Sequence, residues 1–188
     1  MIIDEIYHGL VYDGEYTTVL KFSDDVFVIN SFSKYFNMTG WRLGWMVVPQ
    51  AYVREFDKLA QNVYLSAPTP AQHAALAAFE PATIAILEER RAEFRARRDF
   101  LVPALRGLGF RIPVVPQGAF YIYADCGGLT DDSFAFARDL LETAGVAITP
   151  GADFGANAAT RHVRFAYTNA IPVLAEGVKR IGGFLARG

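Results

Sequence analysis

The segment Ser31-Phe32-Ser33-Lys34-Tyr35-Phe36-Asn37-Met38-Thr39-Gly40-Trp41-Arg42 gathers two hydroxyls, an amine and a guanidinium in one short stretch. These residue types suit the gripping of an anion with an amine held beside it. The planar fork of an arginine makes paired, charge-assisted hydrogen bonds to phosphate, and Ser31 and Ser33 add small donors on the same side of Lys34. A lysine amine can shed its proton and attack a carbonyl, so Lys34 next to such a grip points to a phosphorylated carbonyl cofactor. An isolated S-x-S-K string is weak evidence, because most lysines in such strings are solvated surface residues. The setting is stronger: the loop is polar, contains Gly40, and lies between two apolar runs, where a connecting segment is free to bind.

Those runs and their neighbours define the elements that must position the loop. Met1–Ile3, Val26–Ile29 and Leu43–Val48 are short, continuous and bounded by turn residues, which predicts fully buried strands of a parallel or mixed sheet. Met1–Ile3 reads as a strand already under way, as in a fragment of a larger domain. Asp4 and Tyr7 are three residues apart and cannot share one face of a straight strand, so the chain is expected to leave the strand after Asp4. Helical spacing follows over Ala51–Asn62, then an Ala-rich helix after Ser66–Pro70 through Phe79. A long helix is expected from Pro81 to about Leu105, ended by Gly107 or Gly109. Past it the period changes. Strands are predicted over Phe110–Val115, Gly118–Asp125, Val146–Thr149 and His162–Tyr167. A helix over Ser133–Ala144 would be capped by Asp131, Asp132 or Ser133, and a last helix is marked by Leu174, Val178, Ile181 and Leu185. The domain boundary is placed inside the long helix, dividing 1–95 from 96–188.

Composition narrows the function classes. With 188 residues, 52% hydrophobic and 20% charged, the chain can bury a core and is not disordered. A net charge of −2 lacks the electrostatic footprint of a nucleic-acid binder. One cysteine, Cys126, and three histidines offer neither an internal disulfide nor a zinc cluster. No run is long enough to span a membrane and no basic-flanked leader is visible, so a cytoplasmic protein without membrane or nucleic-acid partners is expected. The arginines from Arg90 to Arg98, interspersed with Glu88, Glu89, Glu93 and Asp99, read as a solvated, salt-bridged helix face.

The string Ser31-Phe32-Ser33-Lys34 followed by Met38-Thr39-Gly40-Trp41-Arg42-Leu43-Gly44-Trp45 resembles the active-site segment of class I/II aminotransferases, fold-type I enzymes that use pyridoxal 5′-phosphate. Asp4-Glu5-Ile6-Tyr7, Pro116-Gln117-Gly118-Ala119-Phe120-Tyr121, Pro150-Gly151-Ala152-Asp153-Phe154-Gly155 and Val163-Arg164-Phe165-Ala166-Tyr167 follow in the family's order. The resemblance covers the whole chain but the C-terminal half of a typical member. It implies an α/β fold, the remnant of a large-domain mixed or parallel sheet over 1–95 followed by a complete α+β small C-terminal domain.

By the same resemblance, Lys34 holds the cofactor as an imine and shuttles a proton at the substrate α-carbon. Asp4 pairs with the pyridine nitrogen, Tyr7 hydrogen-bonds the ring oxygen, and Ser31, Ser33 and Arg42 join in binding the cofactor. Arg164 clamps the substrate carboxylate, and Phe154 and Gly155 shape a loop above the substrate. The implied reaction moves an amino group between an α-amino acid and a 2-oxo acid in a homodimer. Alternatives are a lyase of the same fold, or a non-catalytic binding or oligomerisation module. The family's phosphate turn, ring-stacking aromatic and ring-oxygen asparagine lie upstream and map to no residue here. The chain alone is therefore expected to be weakly active and to self-associate through its sheet edge.

Overall fold

The computed structural model describes residues 1–187. The chain divides into two compact units, Met1–Ala92 and Glu93–Gly188. In the first unit, β1 (Ile2–Asp4), β2 (Phe27–Ser31) and β3 (Gly44–Val47) form a sheet in that order, with β1 parallel and β3 antiparallel to β2. The chain does leave the sheet after Asp4, through a turn into the 3-10 helix His8–Leu10. Helices α1 (Val53–Val63), α2 (Thr69–Ala77) and the start of α3 (Pro81–Gly107) follow. Phe32, Met38, Ala75 and Ala78 form a buried cluster with Phe36 and Leu43 packed against it, so the β2–β3 loop is anchored on α2.

The expectation of fully buried strands fails for this sheet. All four residues of β3 are exposed, and β1 buries only Ile3, and that partly. Only Val28 of β2 is fully buried. The apolar runs correctly mark strands, but Met1, Ile2 and Met46 are exposed, and Trp45 is too although it meets the Phe32 ring edge to face at 5.1 Å.

The second unit holds a second sheet, β4 (Tyr121–Asp125), β6 (His162–Ala166) and β5 (Thr149–Pro150) in that spatial order, entirely antiparallel. The rest of α3, then α4 (Ser133–Ala144) and α5 (Ile171–Leu185), complete it. Leu105, Ile122, Leu140, Val163 and Tyr167 are fully buried and form its core, each side chain of this size contributing about 2 kcal/mol on burial. Asp132, one of three candidate caps, starts α4 by accepting from the amides of Phe134 and Ala135.

Two predicted strands are corrected. Phe110–Val115 forms no strand, only a bridge from Arg111 to Asp125, because Pro113 and Pro116 remove ladder donors around it. Val146–Thr149 shrinks to the two-residue β5. The arginine-rich face is also corrected. Arg98 is 4% exposed and donates to the Pro116 carbonyl at 2.8 Å, and Arg97 reaches the Thr168 carbonyl. These two arginines tie α3 to loops of its own unit, whereas Arg91 pairs with Glu88 at 2.5 Å as expected of a helix surface.

Candidate active site

Loops collect at the C-terminal ends of parallel strands, where backbone donors and side chains are free of the ladder. β1 ends at Asp4 and β2 at Ser31, two neighbouring strands pointing the same way. The antiparallel β3 starts opposite Ser31, at Gly44, so Arg42 returns to the same end of the sheet.

Asp4 Oδ1 accepts from the Ile6 amide at 3.0 Å, which turns the chain off β1 and directs Tyr7 across the sheet end. Lys34 Nζ lies 5.8 Å from the centroid of the Tyr7 ring, within range of a cation–π contact. The loops leaving β1 and β2 thus converge.

The hydroxyls of the β2–β3 loop are ordered by one another. Ser31 Oγ is 2.9 Å from Ser33 Oγ and 3.2 Å from the Leu43 carbonyl, and it accepts from the Ser33 amide at 3.0 Å. Thr39 Oγ1 donates to the Ser33 carbonyl at 2.6 Å. Arg42 is exposed, adopts left-handed backbone angles of φ 54° and ψ 48°, and donates from Nη1 to the Thr39 carbonyl at 2.8 Å. Apolar Phe32 and Met38 point into the core while the polar residues between and beyond them remain accessible, so one short segment is both anchor and donor set.

Tyr35, which sequence reasoning did not single out, fixes the far side of this loop. Its phenol donates to Glu88 Oε1 of α3 at 2.5 Å. Burial first, then Glu88, pushes the phenol up to about 12. A Cβ on Gly9 would lie 2.5 Å from the Tyr35 ring, so only glycine lets the ring pack there. No local pattern exposes this link, because its partner is a helix residue far along the chain. A cavity of about 320 Å³ in the same unit is lined by Glu5, Tyr16, Tyr35 and Glu88; among the predicted site residues it takes in Ser31 alone.

The structure therefore brings Asp4, Tyr7, Ser31, Ser33, Lys34 and Arg42 to one end of the first sheet. Arg164 belongs to the second unit, on β6, opposite Tyr123 of β4 and Thr149 of β5. Its guanidinium carbon lies 4.3 Å from the Tyr121 ring centroid and 4.6 Å from that of Phe154. Nη2 donates to Thr149 Oγ1 at 3.4 Å, and Nε is buried with no hydrogen-bond partner. Nearby Arg161 is engaged differently, 3.7 Å from Asp125, whose carboxyl is held below its usual range chiefly by the Arg111 hydrogen bond. Cys126 is fully buried, and burial pushes its thiol up to about 11, as for an inert core thiol. Among the described residues there is no cluster of metal-ligating groups, and no helix is long and apolar enough to cross a membrane.

Comparison with known proteins gives this arrangement a family. The model of aminotransferase class I and II matches residues 1–181. The chain is 41% identical to a valine–pyruvate aminotransferase of Mycobacterium tuberculosis, over 98% of this chain and 48% of that protein. It is 37% identical to a (5-formylfuran-3-yl)methyl phosphate transaminase of Methanocaldococcus jannaschii, over 98% of this chain and 50% of that one. The crystal structure of an aminotransferase from Mycobacterium tuberculosis superposes with a TM-score of 0.95 at 40% identity, covering 100% of this chain and 49% of that chain. The chain thus spans about half the length of the curated relatives it matches. Its two sheets and their helices are part of the α/β fold of fold-type I aminotransferases. With the lysine loop, the aspartate turn and the strand arginine all inside the matched range, the chain belongs to the class I and II aminotransferase family.

Proposed function

We propose that this chain holds the lysine, ring-binding and carboxylate-binding groups of a pyridoxal 5′-phosphate-dependent aminotransferase acting between an α-amino acid and a 2-oxo acid. Residues 1–95 are the cofactor-binding part and 96–188 the small domain, a division supported by the separation of compact units after Ala92. The observation that carries the reading is the Lys34 amine over the Tyr7 ring at the C-terminal end of two parallel strands. The donor set beside it, two hydroxyls within 2.9 Å of each other and an exposed guanidinium, fits a phosphate.

When bound, pyridoxal 5′-phosphate supplies an aldehyde for amines and a ring that takes up electrons from the substrate α-carbon. Ser31, Ser33 and Arg42 bind the phosphate. Asp4, whose Oδ1 accepts from the Ile6 amide, would hold a proton at the ring nitrogen. Tyr7 donates to the ring oxygen. Lys34 would hold the cofactor and would carry a proton to and from the substrate α-carbon. Arg164 orients the substrate through its carboxylate, a task for which a planar fork is better suited than a point charge. The working form is a homodimer, by analogy with the family.

Titration with pyridoxal 5′-phosphate, followed by the absorbance of the bound cofactor, tests the ring contact. Asp4→Ala is expected to weaken binding by about tenfold, the loss of one charge-assisted hydrogen bond. Unchanged affinity removes Asp4 from the site. Product analysis separates the reaction types: equimolar 2-oxo acid and aminated cofactor support transamination, whereas release of a β-substituent supports the lyase.

A further inference from the structure

Arg164 is held in an unusual way for a surface-strand arginine. Its hydrogen bond to Thr149 is long, at 3.4 Å, and its Nε is buried without an acceptor. Hydrogen bonding therefore does not set the plane of the guanidinium. Two rings stand against it instead: Tyr121 and Phe154 lie 4.3 Å and 4.6 Å from the guanidinium carbon. Tyr121 and Tyr123 alternate onto one face of β4, and the register puts Arg164 beside Tyr123, within diagonal reach of Tyr121.

Both rings are braced in turn. Phe120 packs on Tyr121 with centroids 4.4 Å apart, and Tyr123 meets Phe154 edge to face at 5.9 Å and 87°. Tyr123 itself stacks flat on His162 at 4.8 Å and 5°. Gly155, at φ 137°, turns the chain directly after Phe154 in a conformation other residues avoid. The rings are thus placed by strand register and by a turn, independently of any ligand.

We propose that Tyr121 and Phe154 are positioning residues that clamp the Arg164 guanidinium between two ring faces, fixing the plane of an incoming anion and selecting planar carboxylates over tetrahedral oxyanions. In such a clamp both faces are covered, and an anion can approach only in the guanidinium plane. Two oxygens of a carboxylate lie in that plane and match the fork. The third oxygen of a sulfonate or phosphonate projects out of it, toward a ring whose π face is negative. This rests on the reading of Arg164 as the carboxylate site, and the experiment keeps the two apart.

The 188-residue chain is titrated with propionate and with ethanesulfonate, two monoanions of similar size, while arginine Nε–H resonances are followed by proton–nitrogen correlation NMR. The Arg164 signal is assigned by its loss in Arg164→Lys and is expected far upfield, shielded by both rings. Propionate is expected to bind about tenfold more tightly than ethanesulfonate. In Phe154→Leu and Tyr121→Leu the shielding is expected to fall by about half and the preference to drop toward unity, each variant losing one cation–π contact. Phe154→Tyr is expected to restore both. Phe154 is 46% exposed, so its variants leave the core intact and decide the matter even if Tyr121→Leu fails to fold. A folded Phe154→Leu chain with the wild-type preference overturns the clamp while leaving Arg164 as the carboxylate site. Propionate binding unchanged in Arg164→Lys overturns that site, and the clamp with it.

Discussion

Borohydride treatment of the chain with excess pyridoxal 5′-phosphate is expected to fix the cofactor on Lys34, and Lys34→Ala is expected to abolish the label and amino-group transfer together. Peptide mass mapping reads the site directly. The other lysines, Lys21, Lys58 and Lys179, serve as internal controls of ordinary amine reactivity. Lys34 is half-buried, over the Tyr7 ring, in a loop anchored by Phe32 and Met38 on one side and Tyr35 on the other. Lys58 is exposed and bound to Glu55 at 2.9 Å on helix α1. Labelling of Lys21, Lys58 or Lys179 with Lys34 unmodified would overturn the assignment. No neighbouring side chain can substitute for the amine, so the loss in Lys34→Ala should be the largest of any single change.

Arg164→Lys should produce the second largest effect, slowing the half-reaction with an α-amino acid by about a hundredfold. Lysine keeps the charge but not the fork, and it replaces a planar guanidinium, whose carbon stands 4.3 Å and 4.6 Å from the Tyr121 and Phe154 ring centroids, with a compact ammonium. The half-reaction is followed through the cofactor absorbance under excess pyridoxal 5′-phosphate. An amine substrate without a carboxylate provides the comparison and should react equally well with both proteins. Equal losses for the two substrates would mean that the substitution damages the second sheet rather than the recognition of a carboxylate.

How far the sequence reached depended on whether the relevant contacts were local. The lysine loop is a connection between two adjacent strands, so its donors are near one another in sequence and in space, and their grouping was legible from residue types alone. Asp4 leaving its strand was equally local, a matter of side-chain alternation. Apolar runs located β1, β2 and β3, but a run reports that a strand is apolar, not what lies against it, and β3 proves exposed along its length. Phe110–Val115 had the composition of a strand and lacked a partner to pair with beyond Asp125. Arg98 looked like one more charge on a solvated helix because its acceptor, the Pro116 carbonyl, comes from a loop beyond the helix. The rings around Arg164 come from a different strand and a separate turn. Only the register of β4 on β6 brings Tyr121 close, and no spacing rule encodes that.

The left-handed backbone at Arg42 bears on any attempt to engineer this protein. A non-glycine residue at φ 54° and ψ 48° costs roughly 1 kcal/mol or more. Glycine would release that strain, less the extra freedom it gives the unfolded chain. Asn37, at φ 56° in the same loop, invites the same exchange. A redesign that ranks substitutions by folding stability alone would therefore favour glycine at position 42, and the more stable product would have lost the one guanidinium of the loop. If Arg42 binds the cofactor phosphate as proposed, heat resistance and ligand retention pull in opposite directions at this residue, and thermostabilised libraries need selection for cofactor capture as well as for melting temperature.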